Sequence, residues 1–262
     1  MSRILLTGAS GYLGTKLRAA LAAEGHSIIA TDIRPAADGA DIAIADLADA
    51  TAMDDLMRQG IDAVVHLGGM ANEGDWDLIL RANIMGSHTL FEAARRHGVG
   101  RIIYASSYHV AGFYPIEAAP LPVDIAYRPD TLYGVSKVFG ETLARFYFDK
   151  HGVQSLSIRI CSAHNPKTVR EARNWCDPAD LAAMVSRALA VEQLGCQVLY
   201  AISDNPGAFF VNPPDNSLGW APQGSSLQHD FPDPRAAIDL TDPANRLLGG
   251  GMALRPALDA AE

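Results

Sequence analysis

The chain has 262 residues, 48% hydrophobic and 19% charged, a balance that builds one substantial α/β core. A formal charge of −9 argues against a nucleic-acid partner, because phosphate binding needs a basic surface and none stands out. No apolar stretch reaches the ~20 residues of a membrane span, and Met1-Ser2-Arg3 runs straight into an apolar strand; a soluble, cytoplasmic protein is expected.

In chain order, the pattern predicts a strand at 4–7, a helix at 12–24 closed by Gly25, and a strand at 27–32. A short third strand at 42–45, a helix at 51–59 and a fourth strand at 63–67 follow. Next come one long or two broken helices across 75–97, a strand at 101–106, a helix at 131–151 and a strand at 155–160. Beyond residue 160 the rhythm loosens. Asp177-Pro178 is an N-cap and N1 pair opening a helix to 192, 197–201 is a further strand, and 204–235 is loop. Strands separated by helices imply right-handed crossovers, hence a Rossmann-type doubly wound parallel sheet. One unit over 1–262 is expected: a dinucleotide-binding core at 1–160 and a substrate-binding part and tail at 161–262.

Gly8, Gly11 and Gly14 stand between the first strand and helix, where glycine lets backbone N–H groups approach a pyrophosphate. Their spacing is GxxGxxG, a weak signal alone. Asp32 ends the second strand, placed to accept hydrogen bonds from an adenosine ribose and to repel a 2′-phosphate, which favours NAD over NADP; Arg34 nearby argues the other way. Asp46 and Leu47 follow the third strand, as an adenine contact or a solvated turn. Gly68 and Gly69 end the fourth strand, allowing close approach of a cofactor; His66 before them reads as a core histidine.

Tyr133 and Lys137 are four apart and share a helix face. A phenol with pKa ~10 is a poor base at neutral pH, but an adjacent ammonium and an oxidised nicotinamide favour phenolate. Ser106-Ser107 closes the preceding strand and offers a hydroxyl to complete the site. Tyr12 and Lys16 show the same spacing inside the glycine turn, where catalysis makes no geometric sense; context distinguishes the second pair. Cys161, Cys176 and Cys196 form no CxxC pair and read as reduced core thiols. The eight histidines form no HxH or HxxxH pair, so no metal site is expected.

Several segments carry a specific resemblance: Val64-Val65-His66-Leu67-Gly68-Gly69, the ASS-x-H run at 105–109, RPDTLYGVSK at 128–137 and FGETLARFYFDKHG at 139–152. IRICS at 158–162, LGC at 194–196 and LGW at 218–220 extend it. The chain resembles the extended short-chain dehydrogenase/reductase family and, within it, bacterial uronate dehydrogenases. The resemblance covers the chain to about Trp220 and thins in the tail. It implies an NAD cofactor, a homo-oligomer, and oxidation of the anomeric carbon of a cyclic hexuronate to a lactone.

By position in these segments, the resemblance makes Ser107 the proton-relay serine, Tyr133 the base and Lys137 its helper. It places Tyr12, Leu13, Ile33, Leu67, Asn83, Ser106 and Ile160 around the dinucleotide, together with Tyr133 and Lys137. Ala71, Ser107, Tyr108, His109, Tyr133, Ser162 and Arg170 would line the sugar, Arg170 pairing with its carboxylate and Arg173 rivalling it. Two positions depart from the family pattern: Tyr108 replaces an asparagine and Ala71 a serine. Both are on the substrate side, so another C6-anionic aldose, such as a sulfonated hexose, stays open. Two further alternatives are a sugar-nucleotide epimerase or dehydratase and a non-catalytic NAD-sensing module.

Overall fold

The computed structural model describes residues 1–255. Seven strands form one sheet: β1 (Arg3–Thr7), β2 (Ser27–Asp32), β3 (Ala43–Ile44), β4 (Ala63–His66), β5 (Arg101–Ser107), β6 (Gln154–Ile160) and β7 (Cys196–Ala201). All are parallel, in the order β3-β2-β1-β4-β5-β6-β7. The order reverses between β1 and β4, and there the two adjoining connections leave in opposite directions and open a crevice beyond the carboxyl ends. The doubly wound sheet is the expected one. No helix among the described residues is long and apolar enough to cross a membrane.

The strands are buried on both faces, which explains their nearly unbroken apolar runs. Ile4, Leu6, Val65, Ile103 and Leu156 project to one side, where α1 (Tyr12–Ala23) contributes Leu17 and Leu21. Leu5, Val64, Ile102 and Tyr104 project to the other, towards α2 (Ala50–Met57). After α2 come α3 (Trp76–Ile79), α4 (Gly86–Arg96), α5 (Leu132–His151), α6 (Val169–Arg173) and α7 (Pro178–Ala190). Met184 and Val185 of α7 join the α1 side; Phe91 of α4 and Ala144 of α5 join the α2 side.

Local signals hold at most boundaries. Asp177 caps α7 by accepting the Ala179 N–H, with Pro178 at the first helical position. Gly152 ends α5 at φ +70°, a left-handed conformation that glycine adopts without strain. The third strand is corrected: it shrinks to two residues, exposed at the sheet edge. The 75–97 stretch takes the first of its two expected forms, one helical run, with a π-turn at Leu80–Met85. Helix α6 was not expected, although Thr168 and Glu171 carry a capping signature: Thr168 Oγ1 accepts the Glu171 N–H at 3.2 Å.

Helix α5 is pinned to the sheet by a buried ion pair. Arg159 of β6 donates from Nε and Nη2 to the two carboxylate oxygens of Glu141, both at 2.9 Å. Ser106 and Tyr127 also donate to that carboxylate, at 2.5 and 3.0 Å, while the remaining Arg159 nitrogen reaches Val123 O and the Tyr200 hydroxyl. Beside the pair, Gly140 lies so close to the fully buried Tyr104 ring that a Cβ there would come within 2.1 Å of it. Gly140→Ala is therefore expected to lower stability by ~1–3 kcal/mol through overpacking, despite alanine's better helix propensity. Denaturant unfolding of the two proteins checks this; an equal or more stable variant would mean that the helix is not held at this distance.

Candidate active site

The turn after β1 is shaped to receive a phosphate. Gly8 has φ +69°, and a Cβ on it would come within 2.7 Å of Gly68 N; one on Gly14 would meet Gly8 O at 2.1 Å. Glycine is thus required at both, and the first turn of α1 closes tightly on the loop. No side chain caps α1 at Gly11 and no acidic residue lies in its first turn, so its N-terminal N–H groups remain free for an anion. Tyr12 stacks on His164 across the cleft, centroids 4.5 Å apart. Leu13 packs partly buried against the core.

Asp32 is braced at the tip of β2: Oδ2 accepts the Ser10 N–H at 3.0 Å and Oδ1 the Ile33 and Arg34 N–H groups at 2.7 and 3.3 Å. The second lone-pair direction of Oδ2 leaves room for a ribose hydroxyl, and the charge opposes a 2′-phosphate. Ile33 itself is exposed beside it. Asp46 is committed to Arg81, at 2.9 and 2.8 Å, and to Ala48 N. Leu47 fills the space beside Gly68 and Gly86. The Leu67 N–H donates to Thr7 O, and Gly68 N to the Thr7 hydroxyl.

Two expected cofactor residues are buried and hydrogen-bonded within the protein. Asn83 is 1% exposed, and its amide is taken up by Met70 N, Met70 O and Ser136 Oγ. Its side chain ties the loop before α3 to α5, and Oδ1 keeps one lone pair beyond the Met70 N–H. Ser106 is equally buried, with its hydroxyl on Glu141; only its backbone faces the site. His66 is the core histidine the sequence suggested, between Thr7 and Ser87, and burial with Lys137 nearby pushes it down to about 3.

Successive residues of a strand face opposite ways, so Ser107 points away from Glu141 and towards Tyr133. The first turn of α5 is built to hold that tyrosine: Thr131 caps Gly134 N at 2.8 Å, and Glu73 accepts the Tyr133 N–H at 2.9 Å. Tyr133 and Lys137 are 7% and 5% exposed, with the Lys137 nitrogen 5.5 Å from the phenol ring centre. Burial pushes the phenol up to about 12, while a hydrogen bond from Ser107 pulls it down; burial also brings Lys137 down to about 8. The protein's own groups thus do not ionise Tyr133 at neutral pH.

The residues expected to line the sugar lie on several elements around Ser107. The Tyr108 ring lies on His109 at 4.2 Å and against Phe210 at 5.7 Å, an apolar wall where an amide would be hydrophilic. His109 donates or accepts through Nδ1 with Asp130, at 2.9 and 3.0 Å. Ser162, beyond Ile160 at the end of β6, is held through its backbone by Asn174 and Cys176. Gly69 and Ala71 are exposed in the loop that Glu73 docks on α5.

Arg170 and Arg173 are separated by their partners. Arg173 donates to Pro234 O and Ala236 O at 2.7 and 2.9 Å, a structural tie to a loop. Arg170 lies over the Phe209 ring and donates through Nη2 to Leu248 O, while its Nη1 is buried with no partner. Sequence reasoning missed Glu73, Asp130 and residues 246–250. Asp130 sits inside a motif that was read only for its tyrosine; Glu73 and the tail carry no local signal.

Over residues 4–199 the chain matches the NAD dependent epimerase/dehydratase family. It is 41% identical over 230 residues to a uronate dehydrogenase of Pseudomonas syringae pv. tomato, covering 86% of this chain and 83% of that one. Among solved structures it resembles a glucuronic acid dehydrogenase from Chromohalobacter salexigens, at a TM-score of 0.90 and 38% identity over 99% of both chains. It also resembles a uronate dehydrogenase mutant from Agrobacterium tumefaciens complexed with NAD, at 0.89 and 36% over 99% of both.

Two outcomes follow from this geometry. NAD is expected to exceed NADP in kcat/KM by tenfold or more, and Asp32→Ala to bring the two within about threefold, since one charge repulsion carries the preference; equal values in the unaltered protein would remove that role from Asp32. The rising limb of kcat/KM with pH reports the base, and Lys137→Met removes the cation that favours phenolate. That limb should move towards higher pH by about one unit or more; an unmoved limb with lower kcat would make Lys137 a structural residue only.

Proposed function

The chain belongs to the NAD-dependent epimerase/dehydratase family, and on that basis we propose that it oxidises the anomeric carbon of a cyclic hexuronate, such as galacturonate or glucuronate, to a lactone with Tyr133 as base. The observation that carries the reading is Arg170. A desolvated guanidinium with its Nη1 amino group unpaired is a place for an anion, and burial lowers its pKa. Uronate dehydrogenases are also what the chain is similar to over most of its length.

NAD, when bound, supplies the acceptor for two electrons and a positive ring charge beside the phenol. The residues present fit it: Gly8 and Gly14 would form the cradle, the α1 N–H groups would meet the phosphates, and Asp32 would take the ribose. Ser107 holds the anomeric oxygen in line with Tyr133. Tyr133 takes the proton of the anomeric hydroxyl as that carbon gives up its hydrogen with two electrons. Because the carbon already bears the ring oxygen, the carbonyl so formed belongs to a lactone. Lys137 favours phenolate throughout.

Residues 1–160 act as the dinucleotide half in this reading, and the segments after 160 supply Arg170 and its surroundings. A cytoplasmic homo-oligomer is part of the same reading. Trp76, Leu78, Met85 and Phe146, large and exposed, support a contact between subunits.

A panel of free hexuronates, sulfonated hexoses and neutral aldoses, followed by NADH absorbance, tests the assignment. Losing the partner of a desolvated charge costs ~2–5 kcal/mol. Arg170→Ala should accordingly raise KM for a hexuronate by roughly thirtyfold or more, and change it for a neutral aldose less than about threefold. An enzyme preferring neutral glucose or galactose, with Arg170→Ala indifferent, would overturn the anionic-sugar reading and leave only the dehydrogenase.

A further inference from the structure

Asp130 has no role in the mechanism above, yet its carboxylate has no exposed surface. Both oxygens lie on Nδ1 of His109, and the Thr131 hydroxyl is a distant third partner at 3.4 Å. Two glycines wall it in. A Cβ on Gly112 would come within 2.0 Å of Oδ2 and one on Gly249 within 1.6 Å, and the Gly249 N–H donates to Gly112 O at 2.8 Å, closing the chain over the acid. A charge taken so far out of water is tolerated only where it is paired. His109 is the one close partner among the described residues.

A carboxylate only accepts, so contacts of 2.9 and 3.0 Å from both its oxygens to one ring nitrogen put the proton on Nδ1. With Nδ1–H directed at Asp130, a neutral His109 has a bare Nε2, for which the described residues provide no hydrogen bond. The same residue is tied to the reaction centre: its N–H donates to Ser107 Oγ at 3.2 Å, and its ring stands edge-on to Tyr133 at 6.0 Å. A bare nitrogen accepts from a sugar hydroxyl; a protonated one would look for a carbonyl or carboxylate oxygen instead. The tautomer therefore decides which group the site selects.

We propose, on the hexuronate reading above, that Asp130 is a positioning residue for sugar recognition, holding the His109 proton on Nδ1 so that Nε2 accepts a hydrogen bond from one sugar hydroxyl. Two measurements on the full chain test it. Nitrogen-15 spectra of the histidine rings should show His109 protonated at Nδ1 and bare at Nε2; the reverse would overturn the proposal. Asp130→Asn, which keeps the shape but not the charge, should raise KM for galacturonate tenfold or more while KM for NAD changes less than twofold. In a His109→Gln background the same change should have less than a twofold effect. A full tenfold effect in that background would also overturn the proposal, since Asp130 would then act without His109. If Asp130→Asn does not fold, the ring spectrum of the unaltered protein still decides. Failure to oxidise any hexuronate would count against the functional reading alone, because the spectrum is read without sugar.

Discussion

The position of α5, the helix that carries Tyr133 and Lys137, rests on the buried pair between Arg159 and Glu141. Arg159 is 2% exposed, and both its hydrogen bonds to the carboxylate are short and parallel. Removing one partner of such a pair leaves the other charge stranded, at ~3–5 kcal/mol, so the helix cannot slide or roll without a large penalty. Glu141 is four residues beyond Lys137 and eight beyond Tyr133, which sets all three on one face of α5. The face that binds the core and the face that does the chemistry are thus the same stripe. Ser106 donates to Glu141 as well, and strand alternation then turns Ser107 to the opposite side.

Much of this fold was legible because its signals are local. Apolar runs, Gly25, Asp177-Pro178 and the glycine turn each act within a few residues, and all lie where the sequence placed them. What was not legible depends on distant partners. Arg159 within an apolar strand looks like a solvent-facing residue until Glu141 is seen opposite it. Asn83 and Ser106 occupy positions where a cofactor contact is a fair expectation, and only the packing shows their polar atoms hydrogen-bonded to Met70, Ser136 and Glu141. The helix at 75–97 is continuous in composition; its π-turn at Leu80–Met85, which holds the buried Asn83, leaves no trace in the periodicity.

The two halves of the site differ in how they are made. The dinucleotide side is backbone, glycine and one acid, and it follows from sequence order along β1 and β2. The sugar side is assembled from the ends of β5 and β6, from α6 and from residues near 248, whose carbonyl occupies one arm of Arg170. Phe209 supports that guanidinium from below, and Phe210 backs Tyr108. The side chains proposed to meet the sugar therefore come from segments far apart in the chain. These are the segments where composition says least, and where relatives of one fold differ in what they accept.

The closure by residues 246–250 has a consequence for how the protein comes into being. Ile116 N donates to Arg246 O, Leu248 N to Tyr114 O and Gly249 N to Gly112 O, joining positions more than a hundred residues apart. A chain synthesised from its N-terminus at ~5–20 residues per second completes β1 to β6 while those partners are still missing. The tail therefore closes over Asp130 and brings its carbonyl to Arg170 last, after every strand of the sheet has been synthesised.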